Sequence, residues 1–74
     1  DDGDRLIVDR SITPRHNHIV IAEIDGDVTV KRLHKRNGIL KLKAENVTYP
    51  DIVPHPGQQW SIWGVVTFII KATS

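Results

Sequence analysis

Cysteine and methionine are both missing from the 74 residues. Without cysteine there is no disulfide framework and no thiolate metal site. A chain this short must then hold itself together by packing alone, or be completed by a partner. The same absence fits a reducing compartment. Without methionine, the natural start of translation is expected upstream of Asp1, and the chain is expected to be one domain, residues 1–74, cut from something longer. Aromatic residues are scarce: Tyr49, Trp60, Trp63 and Phe68 are all there are, too few for a base-stacking platform. The longest apolar run, Gly64 to Ile70, is interrupted by Thr67 and is far too short to span a bilayer. No charged-then-apolar leader is present. A formal charge of +1 gives no long-range pull on nucleic acid. The expectation is a soluble cytoplasmic chain with no membrane partner and no strong direct DNA binding by this segment.

What is present reads as strands and turns. Arg5-Leu-Ile-Val-Asp9 is a first strand, and Arg10 to Asn17, broken by Pro14, is a loop. The stretch 18–24 is apolar on both faces and is expected to be a central strand. Asp25-Gly26 and Asn37-Gly38 are two-residue hairpin pairs, since each residue accepts positive φ at low cost. They join strands near 18–24, 27–35 and 39–43 into a three-strand meander. Residues 44–59 hold three prolines and a glycine and are expected to be an irregular connection. A long C-terminal strand, 60–71, closes the chain, with Trp60, Ile62, Val66, Phe68 and Ile70 expected on one face and Trp63, Val65 and Ile69 on the other. Gly64 inside it signals a bulge, a bend or a close backbone approach. So apolar a strand needs cover, and a homodimer through 60–71 is the expectation, with one tryptophan in the core and the other at the interface. The fold class is mainly β, with no helical periodicity.

Lys31 is the residue with chemical promise. Alternation in its strand puts it with Thr29 and Leu33, opposite Val28, Val30 and Arg32. An amine held against apolar neighbours loses hydration and favours its neutral form, as a general base requires. The competing reading is a surface lysine whose stem lies over its neighbours. Spacing alone favours that second reading.

Other residues carry less. His16 and His18 are two apart and could share a strand face, yet two ligands do not make a zinc site and no HExxH pattern exists. His34 and His55 sit in or near polar segments, so no metal or cofactor is expected. Lys31 to Arg36 is rich in cations, but these alternate across a strand and do not form one continuous basic face. Lys35 and Arg36 read as a solvated turn, and Asp1, Asp2 and Asp4 as turn chemistry.

Gly3-Asp4, Leu6-Ile-Val-Asp9, Ile19-Val-Ile-Ala22, Asp25-Gly26, Val30-Lys31-Arg32-Leu33 and Gly64-Val-Val66 occur in a particular order and spacing. Together they resemble the C-terminal domain of the self-cleaving SOS proteins, the LexA and UmuD family of Ser-Lys peptidases, whose small β domain is similar to that of signal peptidases. The likeness also takes in Asn46-Val-Thr-Tyr-Pro50, and the mutagenesis branch (UmuD, MucA and RulA proteins) has counterparts of Val8-Asp9-Arg10-Ser11 and the His16 turn. The resemblance implies a serine a few residues ahead of Gly3-Asp4 that attacks the protein's own N-terminal arm, with Lys31 taking its proton. It implies stimulation by a RecA filament on single-stranded DNA, dimerisation, and support of an error-prone Y-family DNA polymerase in translesion synthesis. Ser11, Ser61 and Ser74 do not stand at the nucleophile's position, so these 74 residues are expected to cleave nothing by themselves. Asn17-His18 departs from the family's usual Gly-Asp.

Two alternatives stand beside the mutagenesis-protein reading. One is the oligomerisation and self-cleavage domain of a LexA-like or prophage repressor; the other is a non-enzymatic small β-barrel binding module in which Lys31 is ordinary.

Overall fold

The computed structural model describes residues 3–45 and 48–72. The expected turn at Asp1 and Asp2, the Asn46-Val47 part of the family pattern and Ser74 lie outside the described residues. Five strands form: β1 (Arg5–Asp9), β2 (Ile19–Ile24), β3 (Asp27–Arg36), β4 (Ile39–Lys43) and β5 (Trp60–Ile70). They make one sheet in the order β1-β5-β2-β3-β4, every pairing antiparallel. No helix occurs among the described residues, and so none is long and apolar enough to cross a membrane.

The meander follows from its turns. Asp25 and Gly26 have φ of 50° and 89°, Asn37 and Gly38 of 53° and 75°. Positive φ at both central residues matches the right-handed twist of the flanking strands. β2 and β3 therefore register from Ile24↔Asp27 to Ile19↔Arg32, and β3 and β4 from Arg36↔Ile39 to Arg32↔Lys43. The core is small and lies over these three strands: Val20, Ala22, Leu33, Leu42 and Val65 are buried. Ile12 from the first loop and Ile52 from the long connection close over it. The connection is irregular, as its prolines require, and joins the sheet's backbone at an isolated bridge, where Leu42 and Ile52 exchange hydrogen bonds of 2.7 and 2.9 Å.

β5 departs from simple alternation. Its pairing slips between Ile21 and Ala22 of β2, which leaves Trp63 as the extra residue, and between Ile7 and Val8 of β1, which leaves Thr67. A bulge of this kind turns the strand and resets which side chains face inward. Ile62 and Val65 therefore both pack on the core, although alternation separates them. Neither tryptophan is buried: Trp60 is 37% exposed and Trp63 50%, so the division into one core and one interface tryptophan is corrected. Arg10 instead covers Trp63, its guanidinium carbon 4.6 Å from the ring centroid and its Nε donating to the Trp63 carbonyl at 3.2 Å. Gly64 is a close approach. A Cβ there would run into Val8 Cγ1, so a larger residue at this position forces Val8 to shift.

Candidate functional site

Lys31 lies directly opposite Val20 of β2, and Val20 lies opposite Val65, which in turn pairs with Asp9 of β1. These four residues form one row across the sheet, on the face that carries the core. Lys31 is half-buried, beside the fully buried Leu33 two positions on. The alternation read from sequence thus holds for β3.

A depression of about 460 Å³ is lined by Lys31 and its neighbour Val30, with Asp4, Leu6, Tyr49, Ile69 and Lys71 among others. Residues from the start, the middle and the end of the chain meet there. Leu6 and Ile69 are cross-strand partners and form one apolar side. Asp4 fixes the way the chain enters β1: its carboxylate accepts the Ala72 backbone N–H at 2.9 Å and the Lys71 ammonium at 3.2 Å. Chiefly the Ala72 hydrogen bond, aided by Lys71, holds its carboxyl below the usual 3.8. The sequence reading assigned Asp4 to turn chemistry alone. Its partners, 68 and 67 positions away, depend on a β1–β5 pairing that no local signal announces.

The serines are placed elsewhere. The Ser11 hydroxyl and backbone N–H both donate to Asp9 Oδ1, at 2.6 and 2.8 Å, closing a turn after β1 and lowering the Asp9 pKa. Ser61 lies near Glu23 and Gln58. Neither lines the depression that holds Lys31.

The histidines are engaged individually. His18 Nδ1 accepts the Arg15 N–H at 2.9 Å, and His55 Nδ1 lies 3.1 Å from the Pro56 carbonyl oxygen. His16 belongs to a turn rather than a strand face; its Nδ1 accepts the Lys35 N–H at 3.1 Å and its ring meets His34 edge-on at 4.8 Å. Among the described residues no three His, Asp or Glu side chains converge as metal ligands do. Burial, then the charges of His16, Lys43, Arg36 and Lys41, keep His34 below its ordinary 6.5.

Basic residues come together in a way that the sequence reading missed. Arg32, His34 and Arg36 alternate onto one face of β3, and the register sets Lys43 opposite Arg32 and Lys41 opposite His34. The signal was available, because a two-residue turn at Asn37-Gly38 fixes every cross-strand pair. Counting cations along β3 alone did not use it.

A family model described as Peptidase S24-like matches residues 1–67. The chain belongs to the Peptidase S24-like family. Among similar proteins are the LexA repressors of Cupriavidus taiwanensis (39% identical over 72 residues), Cupriavidus pinatubonensis (38% over 73) and Verminephrobacter eiseniae (39% over 72). Each alignment covers 97% of this chain but only 32–34% of the relative, so the chain spans about a third of the length of the curated relatives it matches. These S24-like relatives are named as repressors rather than as UmuD or MucA proteins, which moves the repressor alternative ahead of the mutagenesis-protein reading.

Proposed function

We propose that this chain is part of the self-cleavage domain of a LexA-like repressor, with Lys31 as general base for a serine carried on a segment outside the 74 residues. The observation that carries the reading is the depression where Lys31 meets Asp4 and Leu6, on the side from which the chain enters β1. A serine arriving ahead of Gly3-Asp4 would come in beside this depression. The amine must be unprotonated to take the hydroxyl proton. The alkoxide then adds to a peptide carbonyl of the protein's own arm, and the ammonium of Lys31 returns the proton to the leaving amine.

In the same reading the RecA filament on single-stranded DNA is the stimulus, and the molecule dimerises through the 60–71 strand. Exposed Trp63, Phe68 and Ile70 support the second point. A UmuD-type parent, with an error-prone polymerase subunit as partner, is the second reading; it rests on the counterparts of Val8-Asp9-Arg10-Ser11 and the His16 turn.

Self-cleavage tests the proposal. Full-length protein incubated at alkaline pH should split into two fragments, and Lys31→Ala should abolish the split while leaving the far-ultraviolet spectrum unchanged. The 74 residues alone, given an arm peptide, should leave it intact. Cleavage that survives Lys31→Ala would remove the lysine from the mechanism.

A further inference from the structure

The hairpin of β3 and β4 is an edge of the sheet, and one of its faces concentrates charge of a single sign. Arg32, His34 and Arg36 stand two residues apart along β3, roughly 6.6–6.8 Å between neighbours. Lys43 and Lys41 stand directly across from the first two, and His16 leans on His34 from the loop. Like charges directly opposite one another destabilise a sheet. Desolvation first, and then these same neighbours, favour the neutral form of His34. Two carboxylates offset the row: Glu45 pairs with Arg32 at 2.8 Å and Asp51 lies 3.9 Å from Lys43. Among the described residues no carboxylate pairs with Arg36 or Lys41. A chain with a net charge of only +1 therefore keeps four permanent cations, Arg32, Arg36, Lys41 and Lys43, on one face of one hairpin.

We infer that this face binds the phosphodiester backbone of a nucleic-acid strand, without reading its sequence. Four permanent cations spread over both strands of the hairpin match a ligand with one negative charge per repeat unit better than they match a single compact anion. Arg36 uses only its Nε, toward His16 Nε2 at 3.4 Å, which leaves its terminal amines for phosphate oxygens. Arg32 is held by Glu45 and by the Asn17 carbonyl at 2.8 Å each and contributes mainly its charge. No phenylalanine, tyrosine or tryptophan stands in the row, and its one aromatic ring, His34, already meets His16 edge-on, so base stacking, and with it base preference, has little part in the contact. An acidic protein partner fits less well, because protein interfaces are anchored by buried aromatic and aliphatic side chains. Apart from Ile39 at the hairpin tip, the large exposed apolar residues of this sheet stand on β1, β5 and the far end of β3. The expectation from sequence, that residues 31–36 form no continuous basic face, considered β3 without its cross-strand partners.

Fluorescence anisotropy of the 74-residue chain with a dye-labelled oligothymidylate strand tests this. Binding should appear at low salt and weaken with a log–log salt slope of about −2 to −3, as three or four neutralised phosphates on a single strand give. Lys41→Glu should weaken binding several-fold and make the slope shallower by about 1. Arg5→Glu, the same change of charge on the opposite edge strand, should leave affinity within about twofold of the parent. Lys41→Gln, the milder variant, should fall between the two, and circular dichroism identifies any variant that fails to fold. Equal losses for Lys41→Glu and Arg5→Glu would reduce the effect to net charge and overturn the proposal. So would the absence of binding at low salt, or a polyglutamate of matched charge that competes as well as the oligonucleotide does.

Discussion

The two halves of the sheet are built by different rules. In the β2–β3–β4 half, two tight turns set every register, and Val20, Ala22, Leu33 and Leu42 are buried beneath loops of the same chain. In the β1–β5 half, pairing joins residues that are distant in sequence, slips once between Ile7 and Val8, and leaves Ile7, Phe68 and Ile70 at 50, 62 and 45% exposure. Local turns thus secure the half that supplies Lys31. The half that brings Asp4 and Leu6 to it depends on long-range pairing. A strand pair with so little burial is expected to open more readily than the meander.

Substitutions can sharpen that contrast. Leu42→Ala removes a fully buried side chain and should cost about 2–5 kcal/mol, enough to unfold a domain this small; urea titration measures it. Phe68→Ala, in the other half, should stay within about 1 kcal/mol in the same titration. Gly64→Ala forces a Cβ against Val8 Cγ1 and should cost about 1–3 kcal/mol. Adding Val8→Ala should restore part of that loss, and a double-mutant cycle that shows no coupling would mean the two strands are not in contact there. Gly38→Ala tests the turns. It places a side chain at φ of 75° with open space around it, so only backbone strain opposes it, at about 1–2 kcal/mol.

The smallest effects are those of pH, and they separate the halves by their midpoints. His34 titrates below its ordinary 6.5 in the folded chain, so the unfolded chain binds its proton first. Its contribution is present above pH 6.5 and fades as pH falls through that value toward the folded one. Asp4 behaves likewise around a lower value: its stabilisation is present above 3.8 and is lost as pH falls through its depressed folded pKa. Melting curves should therefore lose stability in two acid steps, the first flattened by His34→Gln and the second, which Asp9 shares, reduced by Asp4→Asn.

The same contrast explains what could be read from the letters alone. The meander was legible because Asp25-Gly26 and Asn37-Gly38 carry their conformation in their own chemistry. Lys31 was legible as a residue on the core face because alternation runs unbroken through β3. β5 was only half legible: Gly64 announced an irregularity, but not that Trp63 and Thr67 would each be an extra residue, and so its two faces were wrongly divided. Asp4 was illegible in its role, since a carboxylate near a glycine is ordinary turn chemistry until its partner is known to be Ala72. The basic hairpin face was within reach, because the turn at Asn37-Gly38 already dictated that Lys41 stands across from His34.

One residue ties the structure together. Val65 is the single residue of β5 that stands in register with a partner on both sides, Asp9 and Val20. It marks the place along β5 where the ladder to the entering chain hands over to the ladder that leads, through β2, to the strand that bears the amine. A disturbance there would leave both halves recognisable and yet slide one past the other, so the alignment of the site rests on a valine that has no chemistry of its own.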